Sequence, residues 1–335
     1  MVNGTLRRRA FALGTAATAL GLASCAVEDV QPARPPGVGR GNALLTPWLS
    51  LDGGWRLDSA SPLQATRPAG GRQKFVQPVG VAARNDFVLV ADAGARVIWK
   101  MDRVRDGIAP FTPFTGFGPE QGTSMVIGND FSVWVALPAT HAVVQYNLRG
   151  QPVRRWVSEL DAPRPVAVVV PEDRSQVLIG DGSSPHVLVF DPLGLPRHVL
   201  GGNHPAPLQS IAAMALGPRG LYVLDRIGQQ VVVIDPSGVA VEAIGEHELV
   251  QPRAMAVDGS GRVFVADDME QRIKVFRGQQ LLATVGGPGN APGRFGRIES
   301  MALDGNLLYI ADSMNARVEI WMVAPPSLEE PQGDR

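Results

Sequence analysis

An aspartate and an arginine stand at the two ends of a short turn near the C-terminus of this 335-residue chain. In the stretch IADSMNARVEIW, Asp312 follows one apolar run and Arg317 opens the next. Two upstream stretches, VADDMEQRIKVF and VADAGARVIWKM, repeat the phrase, with Asp267 before Arg272 and Asp92 before Arg96. Such a carboxylate and guanidinium could transfer a proton or bind a polar substrate, or they could fasten a hairpin.

The recurrence of the aspartate favours the structural role. Five repeat units end their second apolar run with an acidic residue, at Asp92, Asp181, Asp225, Asp267 and Asp312, and Leu137 takes this position in the remaining unit. A short Asp side chain at the start of a turn accepts hydrogen bonds from backbone N–H groups two or three residues on. A catalytic residue would be needed only once. We therefore predict that these aspartates, and the arginines that close the turns, are structural.

Histidines are the second group able to do chemistry, because imidazole nitrogens bind transition metals. The chain has five of them: His141, His186, His198, His204 and His247. All except His198 fall in predicted loops at one end of the strands. A metal site needs three or four ligands to converge, and nothing in the spacing requires convergence. We predict scattered surface histidines, and neither a metal nor another cofactor.

Apolar strands lie between these turns and recur every 41 to 48 residues. Six first strands are centred near Ala82, Val126, Ala167, Ala215, Ala256 and Ala302. Each precedes a second strand, a short turn and a third strand such as QVVVID or RVEIWM. Short strands rich in Val, Ile and Leu, bounded by Gly, Pro, Asp and Asn and repeated at this period, are typical of propeller blades. We predict an all-β, six-bladed β-propeller over residues 44–323.

Closure of the ring needs a strand from the N-terminal side. The last repeat ends after its third strand, at Trp321 and Met322, and the Pro-rich, charged residues 324–335 are predicted to be a disordered tail. An unpaired edge strand is a liability. Residues 44–57, LLTPWLSLDGGWRL, have apolar content with no other role. We predict that they supply the outer strand that closes blade six.

The wording of the repeats resembles the NHL repeat family: an apolar strand ends in [VI]-A-D, and a turn leads to [RQH]-[VI] and a third strand. The glycine-rich GGPGNAPGRFGRIESMALD between the last two repeats also fits that family. The resemblance covers about residues 75–323. In a propeller, the loops entering first strands and the second-to-third turns meet at one mouth of the channel, where function usually lies. The possible binding face there comprises Phe75, Arg96, His141, His186, His204, His247, Arg272, Phe295 and Arg317.

The aromatic members of this face have two interpretations. Phe75 and Phe295 either fill gaps between blades or join the arginines in a protein-binding rim, since aromatic residues and Arg dominate interface hot spots.

Two families of six-bladed enzymes provide alternatives. In the peptidyl-hydroxyglycine lyases, which have NHL-like repeats, zinc histidines follow a Pro at the start of first strands. The matching dipeptides here contain no His: Pro78-Val79, Pro165-Val166, Leu208-Gln209 and Pro252-Arg253. Gluconolactonases bind a divalent cation through acidic and amide side chains, and the candidates here are isolated residues: Glu120, Asn129, Asp130, Asn203, Glu246 and Glu299. No catalytic residue is predicted.

The N-terminus predicts export and a lipid anchor. Residues 1–24 contain three arginines and then an apolar run shorter than the roughly 20 residues that span a bilayer. Leu22-Ala23-Ser24-Cys25 resembles the lipobox of bacterial lipoproteins, in which the cysteine is acylated, and Cys25 is the only cysteine. Arg8-Arg9-Ala10-Phe11 also resembles a twin-arginine signal, so both export routes stay open. The Pro- and Gly-rich residues 25–43 are predicted to be a flexible tether.

The composition limits the classes of binding partner. A formal net charge of -1 argues against nucleic acid as a partner, because nucleic-acid-binding proteins usually carry a surplus of basic residues. We expect a monomeric propeller bound to the bilayer through acylated Cys25, on the periplasmic side or the outer surface of the cell envelope. Its expected function is to bind or assemble another envelope protein. The alternative is a divalent-metal-dependent hydrolase or lyase of the lactonase or amidating-lyase type at the channel mouth, and glycan binding at the same face also stays open.

Overall fold

The structure, a computed structural model, describes six stretches of the chain: residues 44–57, 71–103, 106–114, 122–157, 164–200 and 208–326. The predicted signal peptide, Cys25, the tether up to residue 43, His204 and the residues from 327 onward lie outside them. Within the described stretches there are 26 strands and one short 3-10 helix, Pro138–Thr140. No helix in these stretches is long and apolar enough to cross a membrane.

The strands form six sheets, which are the six blades of a propeller. Three strands lie before the first repeat: β1 (Leu45–Leu51), β2 (Gly53–Arg56) and β3 (Arg72–Lys74). Blade one follows with β4 (Pro78–Arg84), β5 (Phe87–Asp92), β6 (Val97–Asp102) and β7 (Gly107–Pro113). Blade two contains β8 (Met125–Ile127), β9 (Val133–Leu137), β10 (Ala142–Tyr146) and β11 (Pro152–Val157). Blade three contains β12 (Pro165–Val169), β13 (Val177–Asp181), β14 (Val187–Phe190) and β15 (Pro196–Leu200).

The second half of the ring repeats this plan. Blade four contains β16 (Ile211–Gly217), β17 (Gly220–Asp225), β18 (Gln230–Ile234) and β19 (Ala240–Ile244). Blade five contains β20 (Pro252–Val257), β21 (Arg262–Asp267), β22 (Arg272–Arg277) and β23 (Gln280–Gly286). Blade six contains β24 (Ile298–Asp304), β25 (Leu307–Asp312) and β26 (Arg317–Val323). The second strand of every blade ends at the predicted residue, and the predicted six-bladed propeller is confirmed.

The first strands line the axis of the ring. Each contacts the first strand of the next blade, from β4 through β8, β12, β16 and β20 to β24, and β24 contacts β4 again. Within a blade, strands adjacent in sequence pair antiparallel. Second strands such as β5 and β21 are buried along their whole length. Their continuous apolar runs follow from packing against a neighbouring blade on either side.

Blade six is closed by the N-terminal strand, as predicted. Strand β1 pairs antiparallel with β26, so that Leu45 lies opposite Val323. The following strand has a different partner: β2 pairs parallel with β7 of blade one, and β3 extends the same sheet. Residues 44–57 thus divide between two blades, which the sequence did not indicate. The N–H of Ala324 donates to the carbonyl of Leu44, so hydrogen bonding continues one residue into the predicted tail.

The two phenylalanines assigned to the binding face lie in the core instead. Phe75 is 4% exposed and Phe295 is fully buried. Phe295 stacks on Trp321 with ring centroids 5.5 Å apart. Burial of both rings corrects their place on the binding face, and their role as fillers between blades is the one that agrees with the packing.

Candidate functional site

The five turn aspartates, Asp92, Asp181, Asp225, Asp267 and Asp312, are all buried. Asp225 shows their common arrangement. Its carboxylate accepts hydrogen bonds from the N–H groups of Gln209 at 2.7 Å, Ser210 at 2.9 Å and Gly228 at 3.0 Å. Two of these donors belong to the segment that enters the first strand of the same blade, and only Gly228 lies in the turn.

Donors at the equivalent position recur in the four other blades that have a turn aspartate. Each carboxylate accepts at least one N–H from a residue 15 to 17 positions earlier. The predicted structural role is therefore confirmed, although its main contact joins the turn to the incoming chain. Carboxylates whose lone pairs are taken by backbone N–H groups stay bound in the fold rather than being available to a substrate.

The three arginines of the binding face have different surroundings. Arg317 is 8% exposed and donates to the carbonyls of Asn290, Ala291 and Arg294, so that it holds the linker between blades five and six. Arg96 and Arg272 are exposed, and neither side chain forms a hydrogen bond or ion pair within the described residues. The predicted structural role therefore fits Arg317. Arg96 and Arg272 occupy the matching sequence position and are accessible to solvent.

The described histidines do not converge. His141 and His247 are exposed, and His198 lies on the outer strand β15. His186 is half-buried, with Nδ1 3.1 Å from Oγ of Ser184. Among the described residues, no three His, Cys, Asp or Glu side chains are placed to hold a metal ion.

The isolated candidates for cation binding are also dispersed. Asn129 and Asp130 lie in the turn between β8 and β9, at the opposite end of the blades. Asp130 is paired with Arg174 at 2.5 Å, and Glu246 is exposed on the segment entering blade five. Glu120 and Asn203 are outside the described residues. Glu299, another of these candidates for cation binding, lines the central channel.

A β-bulge near the start of the first strand selects one residue per blade at the channel mouth. The bulged residues are Val79, Val166, Ala212, Arg253 and Glu299. In blade four this position is Ala212, which follows Ile211, so the pairing used in the sequence comparison, Leu208-Gln209, is three residues too early. In blade two, the N–H of Thr123 donates to the carbonyl of Val79, which places Thr123 beside the ring.

Blades five and six put a network of ion pairs at this mouth. The Arg253 guanidinium contacts Asp268 at 2.9 Å and Glu299 at 3.2 Å. Nε of Arg297 lies 3.2 Å from the other oxygen of Glu299. Burial raises the pKa of the Glu299 carboxyl from its ordinary value of 4.5, although both arginines act to lower it. Glu299 is thus a buried carboxyl held between two guanidiniums at the channel.

The channel has a volume of about 530 Å³. One residue from each first strand forms a ring around it, which we name the methionine collar: Val81, Met125, Val168, Met214, Met255 and Met301. These residues pair with equivalent positions of the second strands, and they are 0 to 8% exposed. The sequence carried this signal as the repeated Met of SMVI, AMAL, AMAV and SMAL, and its meaning was missed.

An exposed apolar row crosses the turns of blades four to six. Ile227, Met269 and Met314 each lie two positions after a turn aspartate and are 63%, 67% and 73% exposed. We name these three residues the apolar arc. The equivalent residues of blades one and three are Gly94 and Ser183. The arc does not follow from the recurring Asp and Arg of the turns, because its residues lie between these two positions and differ in the other blades.

Comparison with known proteins finds similarity of fold. No family model matches the chain, and no curated protein sequence matches it. A streptogramin B lyase structure superposes with a TM-score of 0.56 at 10% identity, covering 75% of this chain and 94% of the lyase. Virginiamycin B lyase from Staphylococcus aureus gives 0.55 at 12% identity, covering 74% and 96%. A Bacteroides thetaiotaomicron protein of unknown function gives 0.58 at 15%, covering 84% and 76%.

These likenesses establish the propeller alone. At 10 to 15% identity, an activity is not carried from one propeller to another. Membership of the NHL repeat family stays a prediction.

Proposed function

We propose that this protein is an exported, lipid-anchored NHL-type propeller that binds another protein of the cell envelope. Export and anchoring rest on the N-terminal pattern and on Cys25, the single cysteine of the chain. The propeller then stands on the periplasmic side or the outer surface of a membrane, as a monomer bound to the bilayer through the acylated cysteine. The family and the anchor rest on sequence, and the binding surface rests on geometry.

The observation that carries this proposal is the apolar arc. Side chains of Ile and Met that are about two-thirds exposed leave apolar area in water, which is unfavourable unless a partner covers it. The three residues share one turn position in adjacent blades and surround the same mouth of the channel. Methionine also suits a binding surface, because its unbranched, polarizable side chain adapts to different partners.

The surroundings of the arc resemble the rim of a protein interface. Arg226 and Arg272 lie one position before Ile227 and three after Met269, and Glu246 and Glu248 are exposed on the neighbouring linker. Protein interfaces combine an apolar centre with a polar rim, and Arg is enriched at their hot spots. A partner segment with apolar side chains flanked by charges of both signs would match this surface.

A site-specific crosslinking experiment tests the proposal in cells that make the full chain. A photo-crosslinking amino acid is placed at Met269 and, as a control, at Leu193. Leu193 is 72% exposed and lies on a third-to-fourth-strand turn at the opposite end of the blades. We expect one envelope protein to be crosslinked from position 269 and absent from position 193.

Direct binding then separates a specific partner from a chance neighbour. With the purified partner, changing Met269→Ser and Met314→Ser together should raise Kd by about tenfold or more, as loss of interface anchors does. Leu193→Ser should leave Kd unchanged. Equal affinity of all variants, or crosslinking equally strong from both positions, would show that the arc is not the binding surface.

The enzymatic alternative, a divalent-metal-dependent hydrolase or lyase at the channel mouth, is supported by the fold shared with two lyases. It stays a prediction, because a shared fold does not identify catalytic residues.

A further inference from the structure

Arg226 supplies a positive charge at the channel mouth. It follows the turn aspartate of blade four, is half-buried, and lines the central channel. Its side chain forms no hydrogen bond or ion pair within the described part of the chain. A guanidinium carries five N–H donors, and those of Arg226 are available to a ligand in the channel because no described residue accepts from them.

Blade five shows how the same position is paired. Asp268 follows the turn aspartate there, and its carboxylate reaches the bulged residue of its own blade, Arg253, at 2.9 Å. In blade four the residue following the turn aspartate is Arg226 and the bulged residue is Ala212. Both line the channel. An alanine methyl offers no charge, so blade four has the cation and lacks the carboxylate.

The other charges that line the channel already have partners. Arg253 is paired with Glu299 at 3.2 Å. At the opposite end, Arg84 is paired with Glu172 at 3.3 Å, and Asp258 with Arg262 at 2.6 Å. Arg226 is therefore the lining charge available to a ligand within the described residues.

Apolar side chains form part of the wall below the mouth. Partly exposed alanines such as Ala213 and Ala215 line the channel, whereas the residues of the methionine collar are buried in the apolar clusters between blades. A volume of about 530 Å³ lies within the range of roughly 300 to 1,000 Å³ typical of small-molecule sites.

We propose that the channel binds a small organic carboxylate with an apolar body. The carboxylate accepts two N–H bonds from Arg226, because the planar guanidinium matches the geometry of a carboxylate. The apolar body lies against the partly exposed alanines of the channel wall, such as Ala213, Ala215 and Ala302. Arg226 lies beside the apolar arc, but the ligand proposed here occupies the channel, and its binding is measured without the protein partner proposed above.

Calorimetric titration of the propeller in the full chain tests the site with three probes. Octanoate has both a carboxylate and an apolar body, acetate has the charge alone, and octan-1-ol has the chain alone. We expect octanoate to bind more tightly than either. Arg226→Gln should raise the Kd for octanoate by about tenfold or more, since the charge-assisted pair of hydrogen bonds to the carboxylate is lost. Arg272→Gln is the matched control and should leave Kd unchanged.

A second pair of variants keeps the test independent of Arg226 itself. Ala212→Asp supplies the carboxylate that blade four lacks, so it should pair with Arg226 and abolish octanoate binding. Ala212→Asn has nearly the same shape without the charge and should retain binding. Thermal melting of both variants verifies folding. Failure of octanoate to bind the wild-type protein, or equal binding by wild type and Arg226→Gln, would overturn the proposal, and neither result bears on crosslinking from Met269.

Discussion

At the scale of single residues, the turn aspartates act by joining two distant parts of a blade. A carboxylate has two oxygens and about four lone pairs, so one short side chain can accept from the turn and from the incoming segment together. Asp225 uses both oxygens in this way, and no cationic side chain among the described residues pairs with it. It is therefore the cleanest place to measure what the recurring aspartate contributes.

We expect Asp225→Ala to lower the free energy of unfolding by about 3 kcal/mol or more, because three backbone N–H groups lose their acceptor in a buried site. Asp225→Asn keeps one acceptor oxygen and should have a smaller effect of the same sign. Urea unfolding of the purified propeller measures both.

Asp304→Ala is the control for this series. Asp304 is half-buried and forms no side-chain hydrogen bond within the described residues, so a change below about 0.5 kcal/mol is expected. A comparable loss in the Asp225 and Asp304 variants would refute the special role of the turn aspartate.

At the scale of elements, the strand that closes the ring determines the integrity of blade six. Strand β1 supplies the fourth strand of that blade, and β26 would otherwise present an unpaired edge. Leu45 is fully buried, in the same apolar cluster as Trp321 and Val323. The closing strand is thus fixed by side-chain packing as well as by backbone hydrogen bonds.

Leu45→Ala should lower the free energy of unfolding by about 2 to 5 kcal/mol, the usual range for a large-to-small change in a core. It should also speed proteolysis near β1 and β26. Thr46, the next residue on the strand, is half-buried, and Thr46→Ala should change stability by less than about 0.5 kcal/mol. Equal stability of the two variants would contradict a packed closure.

At the scale of the whole molecule, the proposed anchor and the propeller have separate tasks. The cysteine would fix the protein to a bilayer, and the mouth of the channel would meet partners and ligands. Stable anchoring takes more than one acyl chain, because a single chain binds a membrane only marginally. The proposed anchor therefore requires a second acyl chain or another membrane contact in addition to one acyl chain on Cys25.

Metabolic labelling with an alkyne fatty acid tests the anchor in cells that make the full chain. The wild-type protein should take up the label and sediment with membranes. Cys25→Ser should lose the label and move to the soluble fraction, whereas Met269→Ser should behave as the wild type. A Cys25→Ser protein that is still labelled would exclude acylation at this residue.

The fold can be predicted from local patterns in the sequence. The repeat of 41 to 48 residues predicts the number of blades, because each repeat forms one blade. Each apolar run predicts one strand, because every blade packs in the same way against its neighbours. The sequence also placed the second-strand ends at Asp92, Asp225 and their equivalents, and it identified the edge that a closing strand must cover. These features depend on residues close together in the chain.

The contacts between side chains at the channel depend on the tertiary structure. The pairing of Arg253 with Glu299 and the methionine collar each bring together residues from different blades. The absence of a partner for Arg226 among the described residues is likewise visible only in the folded ring. Such contacts depend on the bulge in each first strand and on the closure of the ring, since both set which way a side chain points. A sequence pattern records which residues recur, and only the closed ring shows which of them face one another.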